Sequence, residues 1–154
     1  MDLVYPYRSL LMGDTQTGQA MVSACRELCR GRARLKVILE TGELRDPQMI
    51  RQASQDAIAA GADFLKTSTG KVLINATEQA VRIMLEAIAE RGKAAGGIRT
   101  FADARTYIEL AKSRFGAAWV DADHLRLGAS GLLDELLAQL EWATGGSISP
   151  GGWQ

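Results

Sequence analysis

The sequence predicts an α/β fold built on a parallel sheet. Short apolar runs alternate with longer amphipathic ones, the pattern of repeated βα units. The amphipathic runs open on capping residues and close on glycine, so their limits are marked in the chain itself. With 47% hydrophobic and 23% charged residues among 154, the chain has enough apolar material for a sizeable core in one domain.

The elements follow in order. Leu3-Val4-Tyr5 reads as a short first strand, and residues 16 to 30 as a helix with Met21, Val22, Cys25, Leu28 and Cys29 at spacings of three and four. Residues 35 to 40 form the next strand. Asp46-Pro47 is an N-cap followed by a proline in the first turn, and it starts a helix carrying Ile50, Ala53, Ala57 and Ile58 up to Gly61. Residues 62 to 66 are a strand. A helix opens at Thr77, with Val81, Met84, Leu85 and Ile88 on its apolar face, and stops at Gly92. Thr100 caps a helix through Ala104, Tyr107, Ile108 and Ala111. Residues 119 to 127 hold the last strand, and 130 to 142 a terminal helix. The expected domain is residues 1–143, followed by a Gly/Ser/Pro-rich flexible tail over 144–154.

Two features set this chain apart from a closed (β/α)8 barrel. Such a barrel has eight strands and typically about 250 residues, whereas about five βα units are visible here. The helix ending near Arg91-Gly92 also runs directly into Lys93-Ala94-Ala95-Gly96-Gly97. A parallel crossover must return through a strand, so the strand before Lys93 is expected to be shortened or absent.

Charge and composition narrow the function. The formal net charge is zero and the pI about 6.6, which argues against a nucleic-acid partner. No apolar stretch approaches the roughly 20 residues of a membrane span, and the N-terminus has no signal-like run, so a cytoplasmic location is expected. Cys25 and Cys29 lie four apart in a helical pattern and read as two buried structural thiols, because no metal-ligand partners accompany them. His124, the single histidine, reads as a surface or structural residue. No nucleophile accompanies Asp121 and Asp123, so no triad is expected. Trp119 and Trp142 read as packing residues, and Arg30, Arg32, Arg34 and Lys36 as a solvated basic helix end.

Four segments can carry chemistry. In Phe64-Leu65-Lys66-Thr67-Ser68-Thr69-Gly70-Lys71, a lysine stands at the C-terminal end of a strand, the end at which barrels of this type do chemistry. An amine desolvated there becomes a nucleophile at neutral pH, and the small residues after it can turn backbone N–H groups toward an anion. A solvated lysine at a strand end would look the same. In Lys93-Ala94-Ala95-Gly96-Gly97-Ile98-Arg99-Thr100, a Gly-Gly turn before a helix N-terminus suits a phosphate, Arg99 or Lys71 can add a charge contact, and Lys93 offers a second cation near the first. A capped glycine turn is the plainer reading. Arg126-Leu127-Gly128-Ala129-Ser130-Gly131 is either a phosphate cradle at the last strand or an ordinary N-cap by Ser130. Asp2 is either a proton-relay carboxylate or a terminal surface acid.

Taken together, Leu35-Lys36-Val37-Ile38-Leu39-Glu40-Thr41-Gly42-Glu43-Leu44, Gly61 through Lys71, Ala95-Gly96-Gly97-Ile98-Arg99-Thr100 and Arg126 through Ser130, in that order, resemble the deoxyribose-phosphate aldolases of the longer, enterobacterial-like type. The match runs from Asp2 to about Leu140. The resemblance implies the C-terminal part of a (β/α)8 TIM barrel and a class I aldolase of deoxyribonucleotide catabolism. It implies reversible cleavage of 2-deoxy-D-ribose 5-phosphate to D-glyceraldehyde 3-phosphate and acetaldehyde, with no metal or organic cofactor. Lys66 matches the Schiff-base lysine, Lys93 the second active-site lysine and Asp2 the relay aspartate. Gly70, Lys71, Gly96, Gly97, Arg99, Gly128 and Ser130 match the phosphate-binding loops. Three departures stand out: the family's first three βα units are missing, Gly131 replaces a second serine found in many relatives, and the chain ends Gly152-Trp153-Gln154 where many relatives end in tyrosine.

An incomplete barrel leaves strand edges open, so self-association is expected. The alternatives to an aldolase are an inactive barrel fragment that still binds a phosphosugar, or a fragment that serves only structure or interaction.

Overall fold

The computed structural model describes residues 1–88, 94–98, 100–128, 136, 137 and 140. Five strands form one all-parallel sheet in sequence order: β1 (Asp2–Val4), β2 (Lys36–Ile38), β3 (Phe64–Lys66), β4 (Ala94–Gly97) and β5 (Leu125–Gly128). Helices connect them: α1 (Tyr7–Leu11), α2 (Gln16–Cys29), α3 (Thr41–Leu44), α4 (Pro47–Ala59), α5 (Glu78–Ala87) and α6 (Phe101–Phe115). Helices α2, α4, α5 and α6 lie side by side in that order, as successive βα units of a barrel do. The architecture is a partial TIM barrel.

The registers divide the strand side chains between two faces, because successive residues of a strand alternate. Leu3, Val37, Leu65, Ala94 and Leu125 share the helix-covered face, and Val37 and Leu65 are fully buried there. Asp2, Lys36, Phe64 and, one layer along, Lys66 and Arg126 share the face that a closed barrel would turn inward. This inner face is mixed. Lys36 pairs with Asp2 at 3.2 Å, and the Arg126 guanidinium carbon lies 4.5 Å from the centre of the buried Phe64 ring, a cation–π contact.

The caps act as the sequence predicts. Asp46 accepts a hydrogen bond from the Gln48 N–H, Thr77 from the Ala80 N–H, and Thr100 forms a full capping box with Asp103.

Other elements differ from expectation. The Gly-Gly turn expected at Gly96 and Gly97 is instead strand β4, paired through Ala94–Gly97 to β5 and through Ala94 and Ala95 to β3. Parallel pairing uses peptide groups alone, so a segment with almost no side chains can supply the crossover strand. Any strand before Lys93 would fall on residues 89–93, outside the described residues. Trp119 belongs to a 3-10 turn (Ala117–Trp119) that packs against Phe115, not to a strand. Cys29 is buried but Cys25 only partly, and both thiols are free. Lys36 is a strand residue paired to Asp2, not part of a helix end. His124 is bound through Nδ1 to Asp121 at 2.8 Å, and that bond holds the Asp121 carboxyl below its usual range. The terminal helix expected over residues 130 to 142 and the 144–154 tail fall largely or wholly outside the described residues, as does Trp142.

Behind β1, Tyr5 is 1% exposed and donates its hydroxyl to Asp56 at 3.3 Å. Gln19 and Gln52 satisfy the same carboxylate at 2.7 and 2.9 Å. Burial first, and then the charge of Asp56, hold the Tyr5 phenol above its ordinary range. Helix α2 passes so close that a Cβ on Gly18 would stand 2.1 Å from the Tyr5 oxygen. Gly18→Ala is therefore expected to destabilise the fold by about 2 kcal/mol, as overpacked cores do. Urea denaturation would show a lower midpoint at unchanged slope.

Candidate active site

The C-terminal ends of the strands gather most of the residues singled out in the sequence. Lys66 closes β3 in register with Ile38 on β2 and Ala95 on β4, and Ala95 is in register with Arg126 on β5. Gly96 is paired with Leu127, and Gly97 with Gly128, at the same end of the sheet. Gly70 and Lys71 follow Lys66 in the loop to α5. Lys66 is partly buried, and its amine has no hydrogen-bond or ion-pair partner among the described residues.

Asp2 lies apart from this group. It shares the inner face but is in register with Lys36, and through it with Phe64, two residues before Lys66. That is roughly 7 Å back along the strand and two strands across. Its side chain is half exposed and is engaged by Lys36. Lys93, Arg99 and Ser130 lie outside the described residues. The residue beside Lys66 on β4 is Ala95, so that position in the ladder carries no second cation.

The loop after Lys66 is held by the turn that leaves β2. Leu39 N–H donates to the Lys66 carbonyl, and Thr41 N–H to the Thr67 carbonyl, both at 2.9 Å. Glu40 is 2% exposed and sits in the left-handed region at φ 54°, ψ 55°. For a non-glycine residue this conformation costs on the order of 1 kcal/mol or more. The carboxylate it directs inward accepts the Thr69 N–H at 3.1 and 3.3 Å and the Thr69 hydroxyl at 2.6 Å. Thr69 Oγ1 in turn accepts the Lys71 N–H at 3.1 Å. Gly70, at φ +86°, makes the bend between them, a conformation that favours glycine. The hydroxyls of Thr41 and Ser68, both buried, have no partner among the described residues.

Glu40 is a residue that the sequence does not flag. An acid directly after a strand looks like a solvent-facing residue, and only the three-dimensional approach of the β3–α5 loop buries it. The nearest signal is the glycine two positions later. A Cβ on Gly42 would stand 1.9 Å from the Ile74 carbonyl oxygen, so glycine alone permits the loop to lie against α3. Gly42→Ala is expected to push residues 67–76 off the turn and lower stability by about 1–3 kcal/mol. Amide chemical shifts of that loop, read beside the denaturation midpoint, would report both changes.

Comparison with known proteins accords with this geometry. The model of the DeoC/LacD family aldolases matches residues 1–136. A candidate deoxyribose-phosphate aldolase from Toxoplasma gondii ME49 superposes with a TM-score of 0.83 at 22% identity, over 94% of this chain and 62% of that one, a likeness of fold. QR15, an aldolase, superposes with a TM-score of 0.70 at 26% identity, over 90% of this chain and 59% of that one. A candidate deoxyribose-phosphate aldolase from Coccidioides immitis gives a TM-score of 0.63 at 26% identity, over 88% and 51%. The chain thus spans between 51% and 62% of the length of these solved structures. With five parallel βα units in sequence order and a family match over most of its length, the chain belongs to the DeoC/LacD family of aldolases.

Proposed function

We propose that the chain carries the Schiff-base portion of a deoxyribose-phosphate aldolase. The reaction is the reversible cleavage of 2-deoxy-D-ribose 5-phosphate to D-glyceraldehyde 3-phosphate and acetaldehyde. Lys66 is the nucleophile: its neutral amine adds to the aldehyde carbon and water leaves, giving an imine. Once protonated, the imine accepts the electron pair released when the C–C bond breaks, so the carbanion equivalent is held as an enamine. Gly70, Lys71, Gly96, Gly97, Arg99, Gly128 and Ser130 are proposed to hold the phosphate. Lys93 is proposed as the second lysine and Asp2 as the proton relay. No cofactor takes part, and a cytoplasmic location and the absence of nucleic-acid and membrane partners belong to the same proposal. Among the described residues no helix is long and apolar enough to cross a membrane.

The observation that carries this reading is the place of Lys66. Its amine, without a partner among the described residues, stands at the C-terminal end of a central parallel strand, on the inner face, immediately before a glycine-bearing loop. A phosphosugar-binding fragment without catalysis is the second reading: the loop after Lys66 would hold a phosphate whether or not the Lys66 amine is activated.

Incubation with acetaldehyde and borohydride tests both. The aldolase reading expects one ethyl group added at Lys66, found by peptide mass and lost in Lys66→Met. Stabilisation by phosphate without that adduct would support the binder.

Strands β1 and β5 are the edges of the described sheet, and unpaired edges recruit other chains. The proposal therefore includes self-association. Light scattering after size exclusion is expected to give a mass above one chain, and a monomer independent of concentration would count against it.

A further inference from the structure

Glu40 buries a carboxylate in a place where burial is unfavourable unless the charge is well partnered. No described cation lies within ion-pair distance of it. Among the described residues its side-chain partners are all on one residue, since the backbone N–H and the hydroxyl of Thr69 both donate to it. That hydroxyl has a single proton. Once the proton is directed at Glu40, the lone pairs of Oγ1 are left for the Lys71 N–H, which they accept at 3.1 Å. The relay is directional: a buried charge fixes a hydroxyl, and the hydroxyl fixes the backbone one residue beyond Gly70. It also uses up two of the three N–H groups at positions 69 to 71. The Gly70 N–H is left with no partner among the described residues.

We infer that Glu40 is a positioning residue that sets the shape of the Thr69-Gly70-Lys71 loop, and so the affinity of that loop for the phosphorylated end of a substrate. The inference rests on the aldolase reading only for the identity of the substrate. The loop geometry stands without it. Glutamine at position 40 is nearly isosteric but carries no charge, and it puts an amide NH2 in place of one acceptor oxygen. With that NH2 toward Thr69 it donates to Oγ1 and competes with the Lys71 N–H; with its oxygen there it offers a weaker, uncharged acceptor.

Glu40→Gln, Thr69→Val and Thr69→Ser would be compared in the full chain. Glu40→Gln and Thr69→Val are expected to weaken binding of inorganic phosphate, measured by calorimetry, about tenfold or more, the effect of losing a charge-assisted hydrogen bond. Thr69→Ser keeps the hydroxyl and should restore affinity to within about threefold. The double variant Glu40→Gln/Thr69→Val should bind no more weakly than either single one, because both break the same relay. Where turnover of deoxyribose 5-phosphate is measurable, KM should rise by the same factor while kcat and the borohydride adduct at Lys66 change little. An adduct absent from the unaltered chain, with phosphate affinity still falling in Glu40→Gln, would sink the aldolase reading and leave this inference standing. Unchanged phosphate affinity in both Glu40→Gln and Thr69→Val would overturn the inference, as would failure of the unaltered chain to bind phosphate.

Discussion

The peptide groups of Phe64–Lys66 bond to β2 on one side and to β4 on the other, and these two ladders set the place of Lys66 among its neighbours. Because the pairing is parallel and in sequence order, the C-terminal ends of all five strands come out on one side of the sheet. Lys66, the glycine loop after it and the glycine ends of β4 and β5 therefore share one rim without any side chain having to draw them together. Side chains decide instead which face is covered. Apolar residues at alternate positions bind the helices, and the other alternate positions carry polar groups together with apolar ones such as Phe64 and Ile38.

Much of this is legible in the sequence, and the reasons are specific. Asp46-Pro47, Thr77 and Thr100 mark helix starts through local hydrogen bonds that need no distant partner. Leu35 to Leu39 and Phe64-Leu65 mark strands because a sheet covered by helices demands apolar runs. What escapes the sequence depends on distant contacts. Strand β4 has no apolar run to announce it, because its role is filled by peptide groups paired with β3 and β5. The short helices α1 and α3 carry no periodicity long enough to detect. Asp2 and Lys66 read as one constellation along the chain, and only the register shows that they occupy different levels of the inner face.

Two buried carboxylates, Asp56 and Glu40, are satisfied in different ways. Asp56 is surrounded by neutral donors from Tyr5, Gln19 and Gln52, and it ties β1 to α2 and α4. Glu40 is reached by a single threonine, from a strained backbone. The first arrangement is a packing device shared among three elements. The second concentrates its cost at a strand end, where the fold gains nothing comparable in packing. Strain kept at such a place marks a geometry set by the site more than by the core.

Strand β4 is also held differently from its neighbours. Two of its four residues are glycine and the other two alanine, so its place between β3 and β5 rests mostly on peptide pairing. The apolar contacts that keep α6 and β5 against the rest lie one layer out, where Tyr107, Leu125 and Leu127 line one small cavity with Val81 and Met84. Sheet and helix layer thus share the load unequally at β4: backbone pairing sets the register beside Lys66, and the helix layer carries the hydrophobic weight.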